Sequence, residues 1–278
     1  MIRELSRADA LVEVGLELEL GWLPALVDNA RNANVLPGAA GRIDASAAVR
    51  PLGIPVGEVT RADGDVHVGG NPHFLTDPVC GLRVAALLRD RFAALRPTAA
   101  SSFANHYDRL RAELCRAMVG DQLAELYGFD LERLGELFAH GRLQEVLQAQ
   151  GDAGKLGGWF GAVLPFRGSK LVADHDLWPY FAERFGFEVI GFFEPKPGIA
   201  PTTAHLERLI VRMREEKVRV ILSAPYFAPQ HAAFVARATG ARIAAMAHQV
   251  GSRDGIDDYV ALIGYDVAAV VAALQDER

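Results

Sequence analysis

The fold of this chain can be inferred from one stretch, Lys170-Leu-Val-Ala-Asp-His175-Asp-Leu-Trp-Pro-Tyr-Phe-Ala-Glu-Arg-Phe-Gly186. An apolar run ends there at a lone histidine, His175, and an amphipathic segment follows at once. This order predicts a strand followed by a helix in an α/β protein. Because such folds bind ligands at the carboxyl ends of their strands, we expect His175 to face a binding cleft.

The same alternation continues to the C-terminus. The sequence predicts strands at 170–174, 187–193, 218–223 and 241–246. It predicts helices at 176–185, 202–216, 229–238 and 257–274. Strands separated by helices indicate a parallel sheet with right-handed crossovers.

The first part of the chain predicts a smaller α/β unit. Strand character at 11–15 is followed by helical spacing of apolar residues at 19–31, and one more short strand is expected before residue 50. Segment 50–72, rich in Pro, Gly and Asp, predicts a long loop, and Asp77-Pro78 begins a helix with Asp77 as its N-cap.

A helical middle joins these parts, with a long helix at about 99–119 and several short helices at 121–165. We therefore predict the α/β class, with two parallel-sheet lobes. The N-terminal lobe is expected at 1–97, the helical middle at 98–167 and the C-terminal lobe at 168–278.

Composition excludes several classes of protein. The 278 residues are 50% hydrophobic and 23% charged, which allows an ample core, and the net charge of −6 points to neither nucleic acid nor anionic membranes. No apolar run is long enough to span a bilayer, and the charged N-terminus does not resemble a signal peptide. Cys80 and Cys115 form no C-x-x-C pair, which excludes the usual thiolate zinc site, and free thiols are expected.

The histidines are the best candidates for chemistry. His73 lies in a turn-rich loop before a helix and His175 at a strand end, so one comes from each lobe. Neutral imidazole is the commonest nitrogen ligand of metals, and zinc takes three or four such donors. The alternative is that each histidine packs or caps a helix, since no H-x-x-x-H pair occurs.

Two further histidines could complete such a site. His248 follows the last predicted strand, so the rule that placed His175 in a cleft places His248 beside it. His67 could fold onto the same ion as His73, or it could be a solvated residue or a weaker ligand. Solvent-facing positions are expected for the histidines on predicted helices, which are His106, His140, His205 and His231.

Other chemistries lack their motifs. The sequence contains no G-x-G-x-x-G or G-x-x-x-x-G-K-[ST] after a strand and no G-x-S-x-G elbow. Asp174 and Asp176 flank His175 and could accept a hydrogen bond from an imidazole N–H. Since side chains alternate along a strand, we expect at most one of them to point with the histidine.

Several motifs together resemble one known family. They are Ala8-Asp-Ala-Leu-Val-Glu-Val-Gly-Leu-Glu-Leu-Glu19, Asn71-Pro-His-Phe-Leu-Thr-Asp-Pro78, the stretch from His175 to Gly186, Glu194-Pro-Lys-Pro-Gly-Ile-Ala-Pro201 and Val218-Arg-Val-Ile-Leu222. The chain resembles the zinc- and manganese-binding solute-binding proteins of bacterial ABC importers, of the cluster A-I type. That resemblance implies two lobes joined by a long rigid helix, here 99–119, with one metal in the cleft and 121–165 as an insertion.

The resemblance also implies a set of ligands. His73 matches the second metal histidine of the family and His175 the third. The fourth ligand is often an Asp or Glu after the last strand, where this chain has Ala247-His248-Gln249. That ligand is therefore His248, a water molecule or absent. The first family histidine precedes an opening helix inside which Met1 lies, so the first strand and its ligand are expected to be missing.

The function that follows is capture of Zn²⁺, with Mn²⁺ second, and delivery to an ABC permease in the inner membrane. The resemblance implies a non-catalytic monomer, periplasmic or lipid-anchored in its full-length form, and a cytoplasmic protein if Met1 is the natural start. One alternative is a zinc hydrolase with Asp174, Asp176 or Glu194 as its general base. Another is a degenerate family member that binds no metal.

Overall fold

The computed structural model of the chain describes residues 1–55, 67–194 and 199–275. The helices are α1 (Ile2–Leu5), α2 (Leu23–Ala30), α3 (Pro78–Leu95), α4 (Ala100–Val119), α5 (Asp121–Leu126), α6 (Leu131–Ala139), α7 (Leu143–Gln150), α8 (Gly158–Val163), α9 (Pro179–Phe185), α10 (Thr203–Glu215), α11 (Pro229–Thr239) and α12 (Tyr259–Gln275). The strands are β1 (Leu11–Glu13), β2 (Arg42–Asp44), β3 (Lys170–Ala173), β4 (Glu188–Phe192), β5 (Val220–Ser223) and β6 (Arg242–Ala245). The predicted α/β class, with a parallel sheet in each lobe, is confirmed.

The C-terminal lobe is built on a parallel sheet in the order β4-β3-β5-β6. Leu171 and Ala173 of β3 pack on one face with α9 and α12, whereas Val172 packs on the other face with α10 and α11. Because both faces are covered, β3 reads as a continuous apolar run in the sequence. The four predicted strands are confirmed and differ from the observed ones only at their ends.

The residues after His175 form a turn, although the sequence predicts a helix from residue 176. The backbone N–H of Leu177 donates to the carbonyl of His175 (2.8 Å), and α9 begins only at Pro179. Proline fits the first turn of a helix, where its missing N–H costs nothing, and it disfavours helical geometry in the residue before it. The turn therefore lies between the strand and the helix and carries His175.

The N-terminal lobe contains the parallel pair β1 and β2, in which Leu11 lies opposite Arg42. The sequence predicts a helix from residue 19, but α2 begins at Leu23. The carboxylate of Glu19 instead accepts hydrogen bonds from the backbone N–H groups of Val14 (2.7 Å) and Gly15 (3.2 Å). Glu19 thereby ties a turn to the end of β1, which delays the start of the helix.

α4, the predicted linker helix, packs against α3 on one side and against α8 and α12 on the other. Residues 121–156, the larger part of the insertion predicted at 121–165, leave and rejoin the chain at one place and are called the inserted segment below. The backbone N–H of Gly157 donates to the carbonyl of Val119 (3.0 Å), and a Cβ on Gly120 would lie 3.3 Å from the Cα of Gly157. One continuous core extends from α3 to α12, and the domain boundaries after residues 97 and 167 stay predictions.

Two expectations about the chain as a whole are met by the described residues. Cys80 and Cys115 are buried free thiols. Within residues 1–55, 67–194 and 199–275, no helix is long and apolar enough to cross a membrane. Most of the predicted loop 50–72 and the centre of the motif 194–201 lie outside the described residues.

Candidate metal site

His73 lies at the start of a 3₁₀ turn, Phe74–Thr76, directly before α3. Its backbone N–H donates to the side-chain oxygen of Asn71 (2.9 Å), and the hydroxyl of Thr76 donates to its carbonyl (2.8 Å). Asn favours such turns because its side chain hydrogen-bonds to the backbone two residues later. Phe74 is fully buried, so the turn is anchored on one side while His73 stays partly exposed.

His175 follows Asp174 at the carboxyl end of β3, as the sequence predicts. Its Nδ1 lies 3.4 Å from Oε2 of Glu194, and its ring lies beside Phe227, with 5.8 Å between the centroids. A carboxylate on one ring nitrogen orients an imidazole and leaves its other nitrogen for a metal. The sequence suggests Glu194 only as the general base of a hydrolase. In the structure it is the partner of His175, a candidate ligand.

Asp174 is buried and hydrogen-bonded to the backbone that follows β5. Its Oδ2 accepts a hydrogen bond from the backbone N–H of Ala224 (3.0 Å), and burial raises the pKa of its carboxyl to about 6. Asp176 is also shielded from water, and this burial raises its pKa, against the hydrogen bond from Asn71 and the charge of His175. Asp174 therefore supports the end of the sheet.

His248 follows β6 and has the left-handed backbone angle φ of 71°. Its Nδ1 lies 2.5 Å from the hydroxyl of Tyr226, and its ring contacts Trp178 edge to face at a centroid distance of 5.6 Å. The backbone around it is fixed by a buried acid, because Asp266 of α12 accepts a hydrogen bond from the N–H of Ala247 (2.6 Å). Burial raises the pKa of Asp266 to about 7.

The structure brings His73 and His248 together, with 5.0 Å between their ring centroids. Burial, followed by the charges of His248, His175 and His67, lowers the pKa of His73 to about 3. Burial and the charge of His175 lower the pKa of His248 to about 4. The other three predicted histidines are thus within electrostatic reach of His73, and His73 and His248 are neutral at pH 7, as metal binding requires.

The candidate ligands share one cleft without forming a closed coordination shell. Across the part of the chain that the structure describes, no three His, Cys, Asp or Glu side chains converge closely enough to hold an ion. The assignment of His67, His73, His175 and His248 as ligands therefore stays a prediction. Binding an ion at this place requires the side chains to move closer together.

The structure also identifies residues and contacts that sequence reasoning missed. Asp266 had a signal, since it is a lone acid within the apolar run of the last helix. No pattern in the sequence indicates Tyr226, because its role comes from a contact with His248, 22 positions away. The solvent-facing prediction holds for His106 and His140. It is wrong for His205, whose Nε2 lies 2.8 Å from the carbonyl of Phe192 and is partly buried, and for His231, which is also half-buried.

Comparison with known proteins identifies the family and the fold. The model of the family described as zinc-uptake complex component A, periplasmic (ZnuA), matches residues 1–118 and 160–273. The chain belongs to this family. Its members are metal-capturing solute-binding components of ABC importers, which confirms the resemblance inferred from the sequence motifs. The match omits residues 119–159, which include α5 to α7.

Solved structures share the fold. A crystal structure of ZnuA aligns with a TM-score of 0.66 and 18% identity over 98% of this chain and 82% of that chain. The periplasmic metal binding protein from Candidatus Liberibacter asiaticus aligns with a TM-score of 0.64 and 18% identity over 98% of this chain and 83% of that chain. A ZnuA deletion mutant with zinc bound gives 0.65 and 19%, over 98% and 81% of the two chains. No curated protein sequence matches.

Proposed function

We propose that this chain captures Zn²⁺ in the cleft between its lobes, with His73, His175 and His248 as ligands and His67 as a further donor. The observation that carries the proposal is the convergence of His73 with His248 from the opposite lobe, 5.0 Å apart by ring centroids. Both rings are neutral at pH 7, as metal binding requires. Nitrogen donors on two lobes suit capture of a metal ion between them.

Zinc is the proposed metal, with Mn²⁺ second. An all-imidazole set favours zinc, whereas manganese prefers oxygen donors. The carboxylate beside the site, Glu194, faces the Nδ1 of His175. Similar folds carry zinc, manganese and cadmium in a ZnuA deletion mutant and in forms of the periplasmic metal binding protein from Candidatus Liberibacter asiaticus.

We propose that the chain delivers the metal to an ABC permease in the inner membrane, which its family membership supports, and we propose the periplasm as its compartment and a monomer as its form. We propose a carrier and not a hydrolase. A hydrolase needs a general base free to activate water. Of the acids suggested for that role, Asp174 is bound to the N–H of Ala224, Asp176 accepts a hydrogen bond from Asn71 and Glu194 faces His175.

The test is a zinc titration of the metal-stripped protein by calorimetry, with competition against a chelator if binding is too tight. We expect one zinc per chain, and a loss of about tenfold or more in affinity for His73→Ala and for His175→Ala, since each removes a ligand. His106→Ala is the matched control, because His106 is exposed on α4. It should bind zinc as the parent does.

Two outcomes would overturn the proposal. Parent protein that takes up no zinc would support the degenerate, metal-free alternative. Equal binding by the parent and both substituted proteins would place any zinc elsewhere. Hydrolysis of ester or phosphate substrates that depends on His175 would support the alternative function, a zinc hydrolase.

A further inference from the structure

The inserted segment (121–156) contacts α3 and α9, the helices that follow the turns carrying His73 and His175. The metal-bearing turn at His73 leads after four residues to Asp77, the N-cap of α3, whose Oδ1 accepts from the N–H of Val79 (2.8 Å). The turn at His175 leads into α9, which carries Arg184. These two residues form a buried two-pronged ion pair, with nitrogen–oxygen distances of 2.8 and 2.9 Å.

α6 of the inserted segment completes this ion pair. Oε1 of Glu136 lies 3.1 Å from Nη2 of Arg83 on α3 and 3.5 Å from Nη2 of Arg184 on α9. Burial alone would raise the pKa of Glu136, but the charge of Arg184 and hydrogen bonds from Arg83 and Arg184 lower it. Its carboxylate is therefore held between a cation of the N-terminal lobe and a cation of the C-terminal lobe.

The close approach of α6 depends on Gly135. A Cβ at this position would lie 2.6 Å from Cγ2 of Val79 and 3.2 Å from Nη1 of Arg184. Both of these side chains belong to the same pair of elements that Glu136 bridges. Backbone and carboxylate thus contact α3 and α9 at one point.

The chain does not need this segment to connect its lobes. Gly120 and Gly157 are neighbours, and the family model passes from residue 118 to residue 160. The inserted segment is not needed as a connection, yet it contacts both lobes. It is therefore suited to fix the position of one lobe relative to the other. Fixing that position also affects the spacing of His73 from His175, because the His73 turn ends at Asp77 and the His175 turn leads into the helix that carries Arg184.

We propose that Glu136 is a positioning residue for metal capture: through α6 it braces the Asp77–Arg184 pair and sets the distance between the His73 and His175 turns. The inference rests on the proposed function, since it concerns the same metal site. Glu136 touches no metal and acts through the two lobes. The brace belongs to this chain's inserted segment, which the family model does not match.

The test compares Glu136→Lys with Glu145→Lys, an equal change of charge at an exposed position of α7 in the same segment. Lysine at 136 faces Arg83 and Arg184 with a like charge and should push α6 away. We expect zinc to dissociate about fivefold faster or more from Glu136→Lys, measured by transfer to a chromogenic chelator. Glu145→Lys should match the parent, and Glu136→Asp should recover part of the lost rate.

A second readout separates positioning from a loss of stability. Spin labels on Asp28→Cys and Glu207→Cys, exposed sites in the two lobes, report the distance between the lobes in the metal-free folded protein. We expect a broader or shifted distance distribution for Glu136→Lys and an unchanged distribution for Glu145→Lys. Cobalt bound to the site should show shifted absorption bands in Glu136→Lys alone, because its ligand geometry changes.

The outcomes are distinguishable. If the parent protein binds no zinc, the proposed function is wrong. The distances between the spin labels still test whether Glu136 sets the relative position of the lobes. A parent that binds zinc, together with unchanged dissociation, cobalt spectrum and label distances in folded Glu136→Lys, overturns the brace. If that variant does not fold, the same measurements on Glu136→Gln decide in its place.

Discussion

His175 and His248 each follow a strand of the four-stranded sheet, whereas His73 lies on a 3₁₀ turn held by the opposite lobe. The sheet continues to both C-terminal histidines, since the N–H of Asp174 donates to Leu222 (3.1 Å) and that of Met246 to Ser223 (2.9 Å). The turn at His73 instead receives hydrogen bonds and charge from α9 and α12. One side of the site is therefore set by backbone pairing within a sheet. The other is set by hydrogen bonds within its own turn together with contacts from the opposite lobe.

The largest effect should come from the buried ion pair. Arg184→Gln leaves the carboxylate of Asp77 buried without its partner, and we expect a loss of about 3–5 kcal/mol in the free energy of unfolding. The pair is well shielded, with Arg184 4% and Asp77 6% exposed. Urea unfolding of the metal-free protein, followed by circular dichroism, measures the loss.

A second ion pair, between Arg50 and the neighbour of Arg184, Glu183, provides a matched control. Arg50 and Glu183 also join the N-terminal lobe to α9, at 2.6 Å, but they are 69% and 50% exposed. Arg50→Gln should change the free energy of unfolding by less than about 1 kcal/mol. Equal losses in the two variants would show that burial does not distinguish these contacts.

The tyrosine hydroxyls come next. Tyr180 donates to the carbonyl of Asn71 (2.8 Å) and accepts from the N–H of Leu52 (2.9 Å). Tyr180→Phe leaves both groups without this partner, and we expect a loss of about 1–3 kcal/mol in the free energy of unfolding. Hydrogen exchange should accelerate in residues 71–77 and stay unchanged in β3.

Tyr259→Phe sharpens the same comparison. Tyr259 of α12 donates to the carbonyls of Leu75 (2.9 Å) and Asp77 (3.1 Å), so its removal leaves only acceptors. An unpaired carbonyl is tolerated better than an unpaired N–H. A loss larger than that of Tyr180→Phe would contradict the ranking.

Metal preference should respond to the C-terminal side. His248→Asp replaces a nitrogen donor with a carboxylate, and we expect the ratio of Mn²⁺ to Zn²⁺ affinity to rise about tenfold. Competition titrations with the two metals measure that ratio. His106→Asp brings the same change of charge to an exposed position on α4 and should leave the ratio unaltered.

The last expected effect is that of pH. Because the pKa values of His73 and His248 fall to about 3 and about 4, protons should compete with zinc at these two ligands only below about pH 5. In the unfolded chain both histidines should titrate near the ordinary value of about 6.5. They therefore contribute stability that is present above pH 6.5 and is lost as pH falls toward 4.

Proton NMR of the two imidazoles in the metal-free protein measures this directly. Chemical shifts that stay constant between pH 7 and pH 5 are expected for the folded protein, and denatured protein serves as the control. A midpoint near 6.5 in the folded protein would mean that burial and neighbouring charges do not act as described.

The sequence allowed the C-terminal side to be predicted in more detail than the N-terminal side. Apolar runs and strand ends placed His175 and His248 at one edge of a sheet, because parallel strands share their direction. For His73 the sequence predicted a turn before a helix, which is correct. The contacts that hold that turn could not be predicted, since Tyr180 and Tyr259 lie more than a hundred residues away.

Helix starts were the least predictable part of the fold. Apolar spacing alone extends the helices back to residues 19 and 176, but Glu19 and Pro179 set later starts by specific local interactions. The partners of His175 and His248 were likewise hidden. Glu194 and Tyr226 reach these rings through tertiary structure, and no spacing in the sequence indicates such pairs.

The two buried cysteines have a consequence for an oxidising compartment. Burial raises the pKa of the Cys80 thiol far above its usual range and that of Cys115 to about 11. Because the thiolate is the species that reacts with oxidants, the folded protein keeps both sulfurs inert at neutral pH. Oxidation then requires the chain to open. The fraction of protein with oxidised thiols should therefore rise with the number of times that the chain has unfolded.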